Sequence, residues 1–142
     1  VGAGTVTRAE EVAEVARAGG RLMVTPHADP ALVRAAKAAD LIAVPGFFTP
    51  GEAFAQLFAG ADALKLFPAE AASPAVLKAL LAVLPKGTPV LPVGGIGAGN
   101  LAAWQAAGAA GFGIGSALYR PGDTPAQVGE RARILRAALG SA

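Results

Sequence analysis

Residues 1–7 read VGAGTVT. Gly2 and Gly4 begin the spacing G-x-G-x-x-G by which a strand-to-helix turn cradles a dinucleotide, but Thr7 stands where the third glycine belongs. The mismatch decides between two folds, because the rest of the chain repeats a single unit. A short apolar strand ends in Gly, Pro or a small polar residue, and a helical pattern follows. Strands are predicted over Val1–Val6, Arg21–Thr25, Leu41–Val44, Ala63–Phe67, Val90–Val93 and Phe112–Gly115. Helices are predicted over Arg8–Ala18, Pro30–Ala38, Pro50–Ala59, Pro74–Leu84, Asn100–Ala107 and Pro125–Leu139. The strands are near-continuously apolar, as parallel strands covered on both faces are. Such βα units build either an open doubly wound sheet or part of a closed barrel. The failed dinucleotide spacing, the uniformity of the units and the polar or glycine-rich residues at nearly every strand C-terminus favour the barrel, whose active-site loops share that face.

The expected fold is therefore α/β, a (β/α)8 TIM barrel, in a single domain over residues 1–142. Six units are visible, the third to the eighth, so the chain is expected to lack the first two, about 60 residues of the ~250-residue average. A start at Val1 rather than methionine agrees with this expectation. The helix starts are well marked. Asp29-Pro30, Thr49-Pro50, Ser73-Pro74 and Thr124-Pro125 each place a capping side chain before a proline at the first helical position. Thr7 and Asn100 are expected to cap the other two helices, and Gly19, Gly60 and Gly108 to end helices.

Composition narrows the function classes. The chain is 54% hydrophobic with a net charge of +2, which excludes disorder. No run approaches the ~20 apolar residues of a membrane helix, and no block of like charge marks a nucleic-acid or membrane surface. With no cysteine and only His27, disulfides, thiol catalysis and a multi-His metal centre within one chain are excluded. No signal or transit segment is visible, so the cytoplasm is the expected compartment.

Chemistry concentrates at strand ends. ALKLF, residues 63–67, puts a lysine inside an apolar run. Alternation places Ala63, Lys65 and Phe67 on one face and Leu64 and Leu66 on the other. The leucines suit the helix-covered side, which turns Lys65 inward. Of the four lysines it alone lies in a strand. A desolvated lysine is partly neutral, and a neutral amine attacks a ketone to form a Schiff base. The competing reading is a structural lysine neutralised by Glu70 or Asp62. In PVGGIGAGN, residues 92–100, Gly94 and Gly95 follow a strand and precede a helix, and GIGSALYR, residues 113–120, offers Gly115 and Ser116. In such barrels the loops after the last two strands often hold a phosphate on backbone N–H groups, although glycines there also permit close packing. Arg120 either adds charge to this site or is a solvated surface residue. Thr5 ends the first visible strand as a candidate substrate contact, His27 is a possible acid or base, and Trp104 is expected to pack. Pro26 and Pro45 stiffen strand exits, while Pro92 sits inside a strand without evident reason.

In order and spacing, VGAGTV, LKLFPAE, PVGGI and GIGSALY resemble the class I aldolases that cleave 2-keto-3-deoxy-6-phosphogluconate and 4-hydroxy-2-oxoglutarate. The resemblance covers the whole chain. It implies that Lys65 captures pyruvate as an imine, that Thr5 contacts the pyruvate carboxylate, and that Pro26 and Phe67 line the pocket. Val93 stands where gluconate-type members often carry threonine, and Gly94, Gly95, Gly115 and Ser116 match the phosphate site. The implied partners are a small-molecule 2-keto acid, a phosphorylated sugar-acid substrate and two further copies of the chain in a homotrimer. No metal or other cofactor is implied, nor any nucleic acid or membrane. The family's general acid/base glutamate and its carboxylate-binding arginine would lie upstream of Val1. VTPH and GSALYRPG lean toward the sister aldolases acting on 2-keto-3-deoxy-6-phosphogalactonate, whereas FPAEA leans toward the gluconate type. A phosphate-binding barrel isomerase or epimerase, with Lys65 purely electrostatic, is the remaining alternative.

Overall fold

The computed structural model describes residues 1–140. The chain runs β1 (Gly2–Ala3), α1 (Ala9–Arg17), β2 (Leu22–Val24), α2 (Pro30–Ala38), β3 (Ile42–Val44), β4 (Gly46–Phe47), α3 (Pro50–Phe58) and β5 (Leu64–Leu66). After a 3-10 turn over Ala69–Ala71 come α4 (Pro74–Val83), β6 (Val90–Pro92), α5 (Leu101–Ala106) and α6 (Pro125–Ala138). The proline-led starts behave as the sequence predicts. Asp29, Thr49, Ser73 and Thr124 take extended N-cap geometry, and their side chains accept hydrogen bonds from the N–H groups of Ala31, Glu52, Val76 and Gln127. Gly19, Gly60 and Gly108 follow helix ends with left-handed φ of 79°, 100° and 101°.

All strand pairs are parallel, and their order follows the sequence without reversal: β1-β2-β3 and β4-β5-β6. A doubly wound sheet would reverse at a switch point. The two sheets meet at Pro45, the single residue between β3 and β4. The Thr25 N–H donates to the Val44 carbonyl on one side, and the Lys65 N–H donates to the Pro45 carbonyl on the other. One apolar cluster, with Val12, Met23, Val33 and Leu41, seats α1 and α2 on the first sheet. A second, with Leu64, Leu66, Leu77, Val90 and Leu101, seats the later helices on the second sheet. Trp104 is buried in this second cluster, in the packing role expected of it.

The structure corrects four expectations. The third strand does not end at Val44: pairing resumes beyond Pro45, where Gly46 and Phe47 align with Lys65 and Leu66. Phe112–Gly115 is not a strand, and only Gly113 forms a bridge, to Val93. Pro92 supplies the reason. The Val93 N–H donates to Leu66 in β5, while the Pro92 carbonyl faces the other way and accepts from Gly113. Pro92 has no N–H to return, so the ladder toward the last segment stops at one bridge. Thr7 is not the cap of α1. Arg8 holds the N-cap position, and Thr7 instead donates to the Glu11 carboxylate through its N–H and Oγ1. Finally, the helices cover one sheet face more fully than the other. Met23 and Ala43 are fully buried, whereas Ile42, facing the opposite way, is 51% exposed.

Candidate active site

Lys65 lies at the centre of β5 and is 8% exposed. Leu64 and Leu66, buried beneath the helices, fix the strand's orientation and turn Lys65 to the opposite face. Neither proposed carboxylate partner neutralises it. Asp62 is engaged by Lys37 Nζ at 2.8 Å and by the Ala43 N–H at 2.8 Å. Glu70 forms no salt bridge among the described residues and lies instead against Gly94 and Gly95. The Lys65 Nζ rests 4.3 Å from the centroid of the Phe67 ring, which lies two residues along the same face. Burial pushes the Lys65 pKa below that of an ordinary lysine, with no carboxylate to push it back. The result is an amine held next to an aromatic wall and biased toward its neutral, nucleophilic form.

The other strand exits carry their own signatures. Thr5, just past β1, has φ of +58°, a conformation that costs a β-branched residue roughly 1–3 kcal/mol. Its side chain is exposed at the C-terminal edge of the sheet. Pro26 follows β2 and lies tight against β4: a Cβ on Gly46 would stand 2.6 Å from the Pro26 carbonyl carbon. Thr25 fastens the two exits together. Its Oγ1 donates to the His27 carbonyl at 2.6 Å and accepts from the Gly46 N–H at 3.0 Å. The His27 side chain is exposed beside this joint.

Beyond β6 lies a cavity of about 410 Å³ lined by Val93, Gly94, Gly95, Gly115, Ser116 and, among others, Glu70 and Arg120. Five of the site residues anticipated from sequence are thus brought together on one wall. Lys65, Phe67, Pro26 and Thr5 are not among the residues lining this cavity. Lys65 is connected to it through the sheet, since it pairs with Leu91, two residues before Val93. Among the described residues, the N–H groups of Gly94, Gly95, Ile96, Gly115, Ser116 and Ala117 donate no hydrogen bond within the chain. They are available to an anionic oxygen. Gly94 and Gly95 hold φ of 107° and 63°, which a residue with a side chain adopts only under strain.

Sequence reasoning undervalued three residues here. Asn100 was expected to cap α5. Its side chain instead ties down the glycine loop, with Oδ1 accepting from the Gly97 N–H at 3.0 Å and Nδ2 donating to the Gly95 carbonyl at 2.9 Å. Its signal was the asparagine that closes GGIGAGN. Arg120 is a wall residue, its Nε donating to the Ser116 carbonyl at 3.1 Å, which holds the guanidinium at the cavity. Glu70 is the third. The close-packing alternative for the glycines is realised at Gly94, not by helix against strand but by this side chain: a Cβ there would stand 2.0 Å from Glu70 Oε2. No sequence signal announced that contact. Among the described residues, no group of three or more His, Asp or Glu side chains converges as a metal site, and no helix is long and apolar enough to cross a membrane.

The family model of KDPG and KHG aldolases matches residues 1–134. The chain belongs to this aldolase family. Its relatives are aldolases, which are lyases, and their names divide by substrate. It is 46% identical over 132 residues to the 2-dehydro-3-deoxy-6-phosphogalactonate aldolase of Escherichia coli K12, covering 93% of this chain and 64% of that protein. The solved "Native KDPGal structure" superposes with a TM-score of 0.94 at 44% identity, over 96% of this chain and 66% of that one. The KDPG aldolase of Legionella pneumophila, solved with pyruvate captured as a covalent carbinolamine, superposes with a TM-score of 0.74 at 25% identity, over 97% of this chain and 66% of that one. The chain spans less than two thirds of the length of the curated galactonate-type relatives.

Proposed function

We propose that the protein is a class I aldolase that cleaves 2-keto-3-deoxy-6-phosphogalactonate to pyruvate and glyceraldehyde 3-phosphate. The observation that carries this reading is Lys65, a buried strand amine with no carboxylate partner among the described residues, one strand away from an N–H-lined cavity. The neutral amine adds to the C2 ketone, and the carbinolamine loses water to give an imine. Removal of the C4 hydroxyl proton breaks the C3–C4 bond, with the electron pair drawn into the protonated imine. The aldehyde leaves. The enamine takes a proton at C3, and water releases pyruvate and regenerates the amine. In this reading Thr5 binds the pyruvate carboxylate, Pro26 and Phe67 line the pocket, and Val93, Gly94, Gly95, Gly115 and Ser116 seat the phosphate.

The galactonate substrate was the alternative at the level of motifs, with the gluconate and 4-hydroxy-2-oxoglutarate reactions first. Identities of 44% and 46% to galactonate-type relatives support reversing that order. A (β/α)8 barrel in which this chain supplies the third to eighth units belongs to the same proposal, and the sequential parallel strand order supports it. The proton-shuttling glutamate and the carboxylate-binding arginine would then come from the first two units. A homotrimer in the cytoplasm completes the reading. The test is pyruvate release by the intact protein from the two C4 epimers. The reading expects the galactonate epimer to be cleaved with the higher kcat/KM; preference for the gluconate epimer would overturn the assignment.

Two further outcomes are expected. The rate of pyruvate trapping by borohydride should rise with pH and level off below about pH 10.4, the value for an exposed lysine, because burial lowers the Lys65 pKa. A midpoint at or above that value would contradict the desolvated site. Thr5→Gly should raise stability to denaturant by about 0.5–1 kcal/mol by relieving the positive φ, while raising the KM for the keto acid. Loss of stability would show that the Thr5 conformation is not strained.

A further inference from the structure

The cavity beside β6 has two charged residues in its wall, Glu70 and Arg120. A carboxylate is an odd neighbour for a phosphoryl group. Ionised, it offers acceptors only, and it repels a second anion. Yet Glu70 is seated deep against the glycine pair, its Oε2 2.0 Å from where a Gly94 Cβ would be and its Cγ 2.6 Å from that of Gly95. Among the described residues its carboxylate takes part in no salt bridge, and no donor within the chain bonds it. The seat therefore combines a row of free N–H donors, one guanidinium and one unengaged acceptor. N–H donors and Arg120 suit any oxyanion. The acceptor suits only an anion that still carries a proton.

We propose that Glu70 reads the protonation of the bound anion, accepting the P–OH of a phosphate monoester monoanion and disfavouring oxyanions that have no proton to give. The inference rests on the reading of this cavity as the phosphoryl seat, and adds a specificity-determining residue to it. No covalent step is involved: one hydrogen bond forms between the P–OH donor and the carboxylate acceptor. A phosphate monoester loses its second proton near pH 6. The charged groups facing Glu70 across the cavity reduce to Arg120, which holds its charge over the whole accessible range.

Methyl phosphate and methyl sulfate separate this idea from simple electrostatics. Near about pH 5 both are monoanions, and only the phosphate carries a proton. Calorimetric titration of the intact protein should show methyl phosphate bound roughly tenfold more tightly than methyl sulfate, the scale of one hydrogen bond to a charged group. The preference should shrink by about pH 8, as the ester loses its proton. In Glu70→Gln the amide both donates and accepts, so methyl sulfate should bind more tightly and the preference should fall to within about twofold. A wild-type preference that survives in Glu70→Gln would overturn the proposal, as would equal tightening of both anions. In both cases binding itself persists and the phosphoryl seat stands. If the intact protein binds neither anion, the seat fails and the role of Glu70 fails with it, while trapping of pyruvate on Lys65 is unaffected.

Discussion

Lys65→Met is expected to remove the retro-aldol activity of the intact protein by on the order of 10⁴-fold or more, the scale lost when a covalent nucleophile is deleted, while leaving the fold as stable as before or more so. The two halves of this prediction have one cause. Lys65 is 8% exposed, its Nζ meets an aromatic ring rather than a carboxylate, and burial already disfavours its charge. Methionine has similar length and no charge to desolvate, so the substitution removes an unfavourable term from the folded state. A lysine kept for structure would behave oppositely, because breaking a buried ion pair destabilises by about 3–5 kcal/mol. Thermal denaturation beside a pyruvate-release assay checks both halves. A large drop in melting temperature would show that Lys65 holds the fold together.

Gly94→Ala is expected to produce the second-largest effect. The residue has φ of 107°, and a Cβ would stand 2.0 Å from Glu70 Oε2 and 2.8 Å from its carboxyl carbon. Alanine must either shift the loop or expel Glu70, and in both cases the free N–H groups of Gly94 and Gly95 lose their alignment. The strain costs about 1–2 kcal/mol of stability. In the proposed reaction the loss falls on the phosphorylated substrate. Its KM should rise by about tenfold or more, the scale of one or two charge-assisted hydrogen bonds. Cleavage of unphosphorylated 4-hydroxy-2-oxoglutarate should change little, because that substrate never reaches the glycine loop. Equal damage to both substrates would mean that the loop supports the fold rather than a phosphate.

Much of this was legible in the sequence because its signals are local. Proline after Asp, Thr or Ser fixed four helix starts to the residue, and the alternation in ALKLF turned Lys65 away from the helices. The glycine pairs marked the cavity wall for the same reason, since each sits where a strand hands over to a loop. The misreadings are cases where a neighbour distant in sequence intervenes. Phe112–Gly115 has the composition of a strand, but its pairing depended on an N–H that Pro92 lacks. Asn100 has the position of a cap, but Gly95 and Gly97 claim its side chain. Glu70 follows a cis Phe67–Pro68 peptide, and its seat against Gly94 is a contact across the sheet from β5 to β6. Such contacts depend on which loops the strand order brings together, and no spacing in the sequence records them.

The central claim is that Lys65 forms the imine. The direct measurement is borohydride reduction of the intact protein in the presence of pyruvate, followed by proteolysis and mass spectrometry of the lysine peptides. The account predicts one reduced pyruvate adduct, on the peptide containing Lys65, formed equally well with a chelator present. An adduct on Lys37, Lys78 or Lys86, or no adduct on the intact protein, would contradict it.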